Sequence, residues 1–155
     1  MQINHDIAVF MTSPVMIVLG TSDDASQPAI GRAIGALVQK DEGSIDLMVS
    51  EWQWPATVAN VRANGRLAAT FARPSDYVSF QVKGRAAVLP ATAEHLSSAA
   101  RYVERITATL EGLGLDGRIV TPWFVNRDLV AVRLPVDEIF VQTPGAKAGQ
   151  LVERQ

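Results

Sequence analysis

The chain has 155 residues, of which 48% are hydrophobic and 19% are charged, and its formal net charge is −2. This length suits one ordinary domain, and the apolar content is high enough for a packed core, which excludes a disordered chain. Basic residues are scattered, so nucleic acid is not indicated as a partner. The chain has no Cys and only two His, His5 and His95, which argues against disulfides, thiolate sites and a His-based zinc site. Without a long apolar run or a signal-peptide pattern, we expect a soluble cytoplasmic protein with no membrane span.

The first third of the chain alternates strand-like runs with turn formers. The pattern predicts a short helix at residues 3–11 and strands at 15–21, 29–39 and 45–50. One face of the second predicted strand is nearly bare and consists of Ala29, Gly31, Ala33, Gly35 and Leu37. Because glycine in a strand often marks the close approach of another segment or a ligand, this face predicts such a contact.

Segment 51–57, with the sequence EWQWPAT, leads from the third predicted strand into a helix predicted at 57–64. Pro55 suits a first helical position, and Gly65 suits the position just after a helix end. Free N–H groups at a helix start attract phosphate, and the indoles of Trp52 and Trp54 offer flat apolar faces. Two interpretations follow: a site for a flat anionic ligand, or two half-buried core tryptophans at a strand end.

The rest of the chain predicts strands at 66–72, 77–88, 128–134 and 137–142, and a long helix at 93–113. The strand at 77–88 alternates apolar and polar residues, which predicts one buried face. The helix carries Thr92 as a plausible N-cap, His95 as a solvated residue, and an apolar stripe of Leu96, Ala99, Val103, Ile106, Leu110 and Leu113. The structure of 119–125 is left open by the pattern.

This inventory predicts a single domain over residues 1–155, mainly β with flanking helices. Tight turns join most strands, so the sheet should be mainly antiparallel. Closure into a small barrel removes exposed edges, with the barrel over about residues 15–142 and a surface tail at 143–155. A two-sheet sandwich is the alternative architecture.

Three strings in this order resemble the pyridoxamine 5'-phosphate oxidase-like family, the FMN-binding split β-barrels. They are QP at 27–28 followed by GRAI at 31–34, then TVANVRANGRL at 57–67, and VKGRA at 82–86. The matching stretch covers about residues 15–89, with a weaker match at 132–142. The resemblance implies a homodimeric split β-barrel of the Greek-key, FMN-binding type. It also implies an FMN-dependent oxidoreductase, whose substrate and electron donor the sequence does not name.

The same resemblance implies where the cofactor lies. The strand that begins at Arg32 is expected to run beside the flavin and its phosphate, and the start of the helix is expected to receive the phosphate. The implied cofactor-binding residues are Arg32, Ala33, Ile34, Gly35, Val49, Ser50, Trp52, Trp54, Ala56, Thr57, Ser79 and Gln142. No catalytic acid or base stands out, which suits a reaction carried out by the cofactor itself.

The chain departs from the family at the phosphate site. Where members usually supply Arg and Lys at the helix start, this chain has Pro55 or Ala56 and then Thr57, and Leu37 replaces a further Lys. Each charge-assisted hydrogen bond is worth about 1.5–3 kcal/mol, so FMN affinity is expected to be lower. The alternative functions are therefore a non-enzymatic protein that binds a flavin, a deazaflavin or haem, and a structural dimer without a cofactor.

Arg32 has two interpretations of its own. It either binds the phosphate or forms an ion pair with Glu51 or Asp46 across the sheet. A charge on this otherwise apolar strand needs one of these partners, because an unpaired buried charge is costly.

Overall fold

Within residues 2–41 and 43–152, the computed structural model of the chain contains nine strands and four α-helices. In chain order these are α1 (His5–Met11), β1 (Met16–Ser22), β2 (Pro28–Ala33), β3 (Ala36–Val38), β4 (Ser44–Ser50), α2 (Pro55–Asn64), β5 (Arg66–Ala72), β6 (Ser79–Arg85), β7 (Ala87–Pro90), α3 (Ala93–Gly112), α4 (Gly117–Val120), β8 (Leu129–Pro135) and β9 (Glu138–Val141). A 3₁₀ turn, Thr121–Trp123, follows α4. No helix in this part of the chain is long and apolar enough to cross a membrane.

The strands form two antiparallel sheets, one in the order β2-β1-β5-β6-β9 and the other in the order β3-β4-β8-β7. The chain changes sheet four times, from β2 to β3, from β4 through α2 to β5, from β6 to β7 and from β8 to β9. At the first change, the Ile34 N–H donates to the Met48 carbonyl at 2.8 Å, and the Met48 N–H donates to the Gly35 carbonyl at 3.1 Å. The prediction of a mainly β, antiparallel fold with flanking helices is confirmed. Over the described residues, the sheets meet at these crossings and do not close into one continuous barrel.

The strand predicted at 29–39 is wrong as a single element, because the chain bends between β2 and β3. Gly35 lies at the bend with a φ of +129°, a conformation that L side chains rarely adopt. A Cβ at this position would lie 2.8 Å from the Met48 Cε and 3.2 Å from the Tyr102 Cβ. Both the backbone conformation and the available space therefore require glycine here. A two-residue period does not reveal such a bend, because the pattern continues on both sides of it.

The strand predicted at 77–88 is wrong for the same reason, since it is divided between β6 and β7. The division falls at Ala86, whose N–H donates to the Gly65 carbonyl at 2.7 Å and so leaves the ladder with β5. Gly65 itself follows α2 with a left-handed φ of +72°, as predicted for a residue just past a helix end. The end of α2 therefore fixes the point at which the chain passes from one sheet to the other.

Several other predictions agree with the structure. α2 begins at Pro55, two residues before its predicted start, and β5 covers the predicted range with three inward apolar residues, Leu67, Ala69 and Phe71. The segment whose structure the sequence leaves open forms α4 and the 3₁₀ turn. The predicted tail at 143–155 folds back on β9, since the Val152 N–H donates to the Ile139 carbonyl at 2.7 Å. Residues 153–155 of that tail lie outside the described residues.

The buried face of α3 differs from the predicted apolar stripe. Leu96 and Leu113 are 53% and 50% exposed. The helix instead turns three polar side chains inward, and two of them have a buried hydrogen-bond partner. One is Tyr102, whose hydroxyl donates to the Val15 carbonyl at 2.6 Å, and the other is His95. The buried face is made of His95, Ser98, Ala99, Tyr102, Ile106 and Leu110.

The prediction that His95 is solvated is wrong, since its side chain lies against the fully buried Asp46 of β4. The Thr92 N–H donates to His95 Nδ1 at 3.0 Å, so the imidazole hydrogen is on Nε2, which donates to Asp46 Oδ2 at 2.9 Å. Arg133 of β8 donates from Nε and Nη2 to the two carboxylate oxygens at 2.7 and 2.8 Å. Gln39, just after β3, adds a bond of 2.9 Å from its Nε2.

Asp46 is charged at neutral pH in spite of its burial. Burial raises the pKa of its carboxyl, but the hydrogen bonds from Arg133 and His95 together outweigh that effect and hold the pKa below its usual value. The carboxylate thereby connects β4 to β8, to the start of α3 and to the segment after β3. Breaking a pair of this kind is costly, because the remaining partners lose their anionic acceptor.

Asp46→Asn should lower the free energy of unfolding at pH 7 by about 3 kcal/mol. The folded-state pKa lies below the unfolded-state value of about 3.9, so the stabilising contribution is complete above that value and is lost as the pH falls through the folded-state pKa. The parent should therefore lose more stability than the variant between pH 5 and strongly acidic pH. Urea unfolding across this range measures both effects.

The matched control is Asp76→Asn. Asp76 also forms an ion pair with an arginine, Arg73, but both side chains are largely exposed to solvent. Its replacement should change the stability little. If the two variants lose the same stability, the buried network does not hold the sheets and α3 together as described.

Candidate functional site

The start of α2 lies directly against the edge strand β2. A Cβ on Gly31 would lie 3.2 Å from the Thr57 Cβ and 3.3 Å from its Cγ2, and closer still to its hydroxyl. Only glycine therefore leaves room for the first turn of α2 at this place. The prediction that this bare strand face is closely approached is confirmed, and the approaching group is a side chain of α2.

Arg32, the next residue of β2, is half-buried and stacks on an aromatic ring. Its guanidinium carbon lies 5.0 Å from the centroid of the Trp123 ring in the 3₁₀ turn. Its charge also acts on Tyr102: burial raises the pKa of that hydroxyl, and the nearby guanidinium partly opposes the rise. Arg32 Nη1 is buried and has no hydrogen-bond partner among the described residues.

The ion-pair interpretation of Arg32 is wrong. Glu51 pairs with Arg62, and Asp46 pairs with His95 and Arg133. Within the described residues no carboxylate lies within ion-pair distance of Arg32. A half-buried cation with an unsatisfied N–H is therefore left at the edge of β2, and such a group ordinarily needs an anionic partner.

Three more unsatisfied polar atoms belong to the segment that opens α2. They are Gln53 Oε1, Trp54 Nε1 and Thr57 Oγ1, each buried without a hydrogen-bond partner among the described residues. Gln53 also connects this segment to the 3₁₀ turn, because its Nε2 donates to the Pro122 carbonyl at 3.0 Å. Buried polar atoms in folded proteins are nearly always satisfied, so a group of four in adjoining segments indicates a ligand site.

The edge position of β2 explains how two consecutive residues, Gly31 and Arg32, can both border one site. Gly31 and Arg32 point to opposite faces of the strand, so Thr57 and the Arg32 side chain lie on opposite sides of it. Because β2 is the last strand of its sheet, both sides border the same free edge. The first N–H groups of α2, at Ala56 and Thr57, have no intrahelical acceptor, and the Trp54 side chain does not cap them.

Trp52 forms the exposed rim of this region. Its side chain is 52% exposed, and the Arg127 guanidinium carbon lies 4.9 Å from the centroid of its ring. Two hydrogen bonds hold the turns that carry this pair. The Ser50 hydroxyl donates to the Arg127 carbonyl at 2.6 Å, and the Glu51 N–H donates to the Asp128 carbonyl at 3.0 Å. The interpretation of both tryptophans as half-buried therefore fits Trp54 and not Trp52.

The other predicted residues of the N-terminal half lie near this region in different surroundings. Ala33, Ile34 and Val49 have side chains within the core, each at most 1% exposed. Ser50 is equally buried and is occupied by its bond to the Arg127 carbonyl. Ala56, by contrast, is exposed at the start of α2.

Ser79 and Gln142 form a separate group at the far side of the same sheet. The Gln142 N–H donates to the Ser79 carbonyl at 2.8 Å, and the Ser79 hydroxyl donates to the Tyr77 carbonyl at 2.7 Å. Ser79 lies on β6, three strands away from Arg32 on β2, which corresponds to about 14 Å across the sheet. One chain alone does not bring these two residues to the Arg32 cluster, which consists of Arg32, Gln53, Trp54, Thr57 and Trp123.

Sequence reasoning missed two members of the cluster. Nothing in the sequence pattern indicates Trp123, because it lies in a segment without periodicity. It is far from Arg32 in the sequence, and only the folded structure brings the two side chains into contact. Gln53 stands between the two tryptophans of segment 51–57, but no pattern shows that its amide will be buried with one oxygen unsatisfied.

Comparison with solved structures shows which fold carries this site. The chain is similar to an F420 reductase, with a TM-score of 0.58 and 12% identity over 88% of this chain and 98% of that one. It is similar to HutZ, the haem storage protein from Vibrio cholerae, with a TM-score of 0.56 and 15% identity over 91% and 95% of the two chains. It is also similar to a putative pyridoxamine 5'-phosphate oxidase from Lactobacillus delbrueckii, with a TM-score of 0.54 and 14% identity over 90% and 93%.

The chain therefore has the split β-barrel fold of the pyridoxamine 5'-phosphate oxidase-like proteins, as the sequence resemblance predicts. At 12–15% identity, these similarities establish the fold only. The ligand and the reaction have to be inferred from the residues of this chain. No protein-family model matches the sequence, and a sequence comparison with curated proteins gives no match.

Thr57→Val should leave the free energy of unfolding unchanged or raise it, because it removes a buried hydroxyl that has no partner. Thr21→Val is the matched control, since Thr21 is similarly buried but accepts a hydrogen bond from Asn60 Nδ2 at 3.1 Å. The control should lose about 1–3 kcal/mol, because it leaves the Asn60 amide unsatisfied. Urea unfolding of the parent and both variants measures the difference. A loss at Thr57 equal to that at Thr21 would show that the Thr57 hydroxyl has a structural partner.

Proposed function

We propose that the protein binds FMN at the free edge of β2, beside the start of α2, and acts as an FMN-dependent oxidoreductase. The observation that carries this proposal is the half-buried Arg32, whose Nη1 has no partner among the described residues. A phosphate ester supplies the anion that this guanidinium lacks, and arginine suits phosphate because of its planar set of donors.

The neighbouring groups fit an anion as well. Of the four unsatisfied buried atoms, Arg32 Nη1 and Trp54 Nε1 are donors, and Thr57 Oγ1 carries a hydroxyl hydrogen that it can donate. The free N–H groups at the start of α2 add further donors and the positive end of a helix dipole. Gln53 Oε1 is an acceptor, so it suits an N–H or hydroxyl group of the ligand rather than its phosphate.

Each residue has a separate role in this proposal. Arg32, Thr57 and the first N–H groups of α2 hold the phosphate, while Trp54 and Trp123 provide apolar surface beside it. Bound flavin would supply the capacity to accept and donate electrons or hydride. The chain's own residues bind and orient it, and β2, α2 and the 3₁₀ turn shield one side of it from water.

This phosphate site lacks the Arg and Lys that are usual at the helix start, so it is weaker but still present. Ala56 and Thr57 supply neutral contacts where charged ones are usual, so Arg32 is the charged anchor of the site. Its guanidinium is half-buried and stacked on Trp123. Water therefore screens its attraction for a phosphate less than it would at a fully exposed arginine. We therefore expect binding that is weaker than that of a three-cation site but strongly dependent on Arg32.

Haem is the second candidate, because one similar structure is that of a haem storage protein. His95 does not suit an axial ligand, since Asp46 engages its Nε2 and the Thr92 N–H engages its Nδ1. The remaining histidine, His5, is exposed at the first residue of α1. Binding of haem through a histidine would therefore occur at α1 and away from the unsatisfied cluster. The cluster itself favours an anionic flavin.

Arg32→Gln should weaken FMN binding by at least about tenfold, because it removes the charged partner of the phosphate. Its melting temperature should be nearly unchanged, because Nη1 has no hydrogen-bond partner to lose and only the stacking on Trp123 is removed. Titration of FMN followed by flavin fluorescence, together with a thermal melt, measures both quantities.

Arg73→Gln is the matched control for this experiment. Arg73 also stacks on a ring, with its guanidinium carbon 5.5 Å from the Phe10 centroid, but it has Asp76 as an ion-pair partner. FMN affinity should be the same in this variant as in the parent. If Arg32→Gln binds FMN as tightly as the parent, or if the parent binds no FMN, the proposed site is wrong.

A further inference from the structure

A second group of cations lies on α3, apart from the Arg32 cluster. A cavity of about 150 Å³ opens between the end of α1, β3 and α3. Its wall includes Arg101 and Arg105, together with the hydroxyl-bearing Ser98 and Thr12. Leu37 and Tyr102 contribute apolar surface. The cavity is therefore small, cationic on one side and apolar on the other.

Arg101 and Arg105 are unlike most arginines of this fold in having no partner. Neither side chain forms an ion pair or a hydrogen bond within residues 2–41 and 43–152. They are four residues apart on a helix, so their charges lie one turn apart on the same face and repel each other. Both are exposed, as are Arg62, Arg73 and Arg118, but each of those three pairs with a carboxylate.

The nearby end of α1 does not account for this pair. Carbonyl groups at the end of a helix attract cations, but Thr12 already donates its hydroxyl to the Ala8 and Val9 carbonyls at 3.0 and 3.3 Å. Neither guanidinium donates to a carbonyl of that turn in the described part of the chain. The two cations border a cavity and have no internal anion.

The Ser98 hydroxyl adds a donor to the same wall. Ser98 is buried on α3, and its hydroxyl makes no hydrogen bond to another described residue. Ser98, Arg101 and Arg105 follow one another at spacings of three and four, so they lie along one side of the helix. Two guanidinium groups and a hydroxyl thus provide donors for one anion, and none of these side chains is an acceptor-only group.

We propose that this cavity binds the phosphate group of a small phosphate monoester. Two arginines match the charge of such a group, which is about −1.5 to −2 at pH 7, better than they match a single carboxylate. The cavity of about 150 Å³ has room for several water molecules, which is enough for a phosphate group. The rest of the ester extends out past Leu37. This site shares no polar group with the one proposed for FMN.

The test uses inorganic phosphate as the probe and follows the melting temperature at constant ionic strength, with chloride as the compensating anion. The parent should show a saturable rise in melting temperature. Arg101→Gln combined with Arg105→Gln should raise the half-saturating phosphate concentration by at least about tenfold, because both charge-assisted contacts are lost. Acetate should give a smaller effect on the parent than phosphate.

Two control variants separate this site from others. Arg118→Gln removes an exposed arginine elsewhere and should leave the response to phosphate unchanged. Loss of the response in Arg32→Gln, together with a response in the double variant equal to that of the parent, would assign phosphate to the FMN site and overturn the proposal. An equal response in the parent and the double variant, or an equal response to acetate and phosphate, would overturn it as well. If the double variant does not fold, Arg105→Gln alone gives the same comparison with a smaller shift.

Discussion

The buried carboxylate of Asp46 is the interaction on which the arrangement of this fold depends. It accepts hydrogen bonds from Arg133 on β8, His95 on α3 and Gln39 after β3, and so connects one sheet to the long helix. The position of α3 in turn places Tyr102 against Gly35 at the point where the chain changes sheet. The neighbouring edge strand β2 is thereby held in place, although the candidate site itself contains no member of the network.

Asp46 and Arg32 are two charged groups that are at least partly buried, but they differ in whether the chain supplies their partners. Asp46 has a hydrogen-bond partner for both of its oxygens, and its removal is expected to affect folding. Arg32 is half-buried, has no carboxylate partner among the described residues, and is expected to affect ligand binding instead. A protein tolerates a half-buried cation without an internal partner where an external anion completes it, and this is the physical basis for proposing a phosphate ligand at the edge of β2.

Local patterns predicted the elements of this fold better than they predicted how the chain connects its sheets. Pro55 and Gly65 marked the ends of α2 because helix termini have local sequence signals. The bends at Gly35 and Ala86 were missed, because alternation of side chains continues through a change of sheet. His95 was misplaced for a different reason: a polar residue on a helix is solvated by default, and only its contact with Asp46, 49 positions earlier, reverses this.

Arg32 is proposed to bind a phosphate carried by a flavin. Riboflavin has the same ring system as FMN but no phosphate, so a comparison of the two ligands isolates that contact. In fluorescence titrations, FMN should bind the parent at least about tenfold more tightly than riboflavin, a difference of about 1.4 kcal/mol, and Arg32→Gln should abolish this preference. Equal affinities for FMN and riboflavin in the parent, or a preference for FMN that survives in Arg32→Gln, would contradict it.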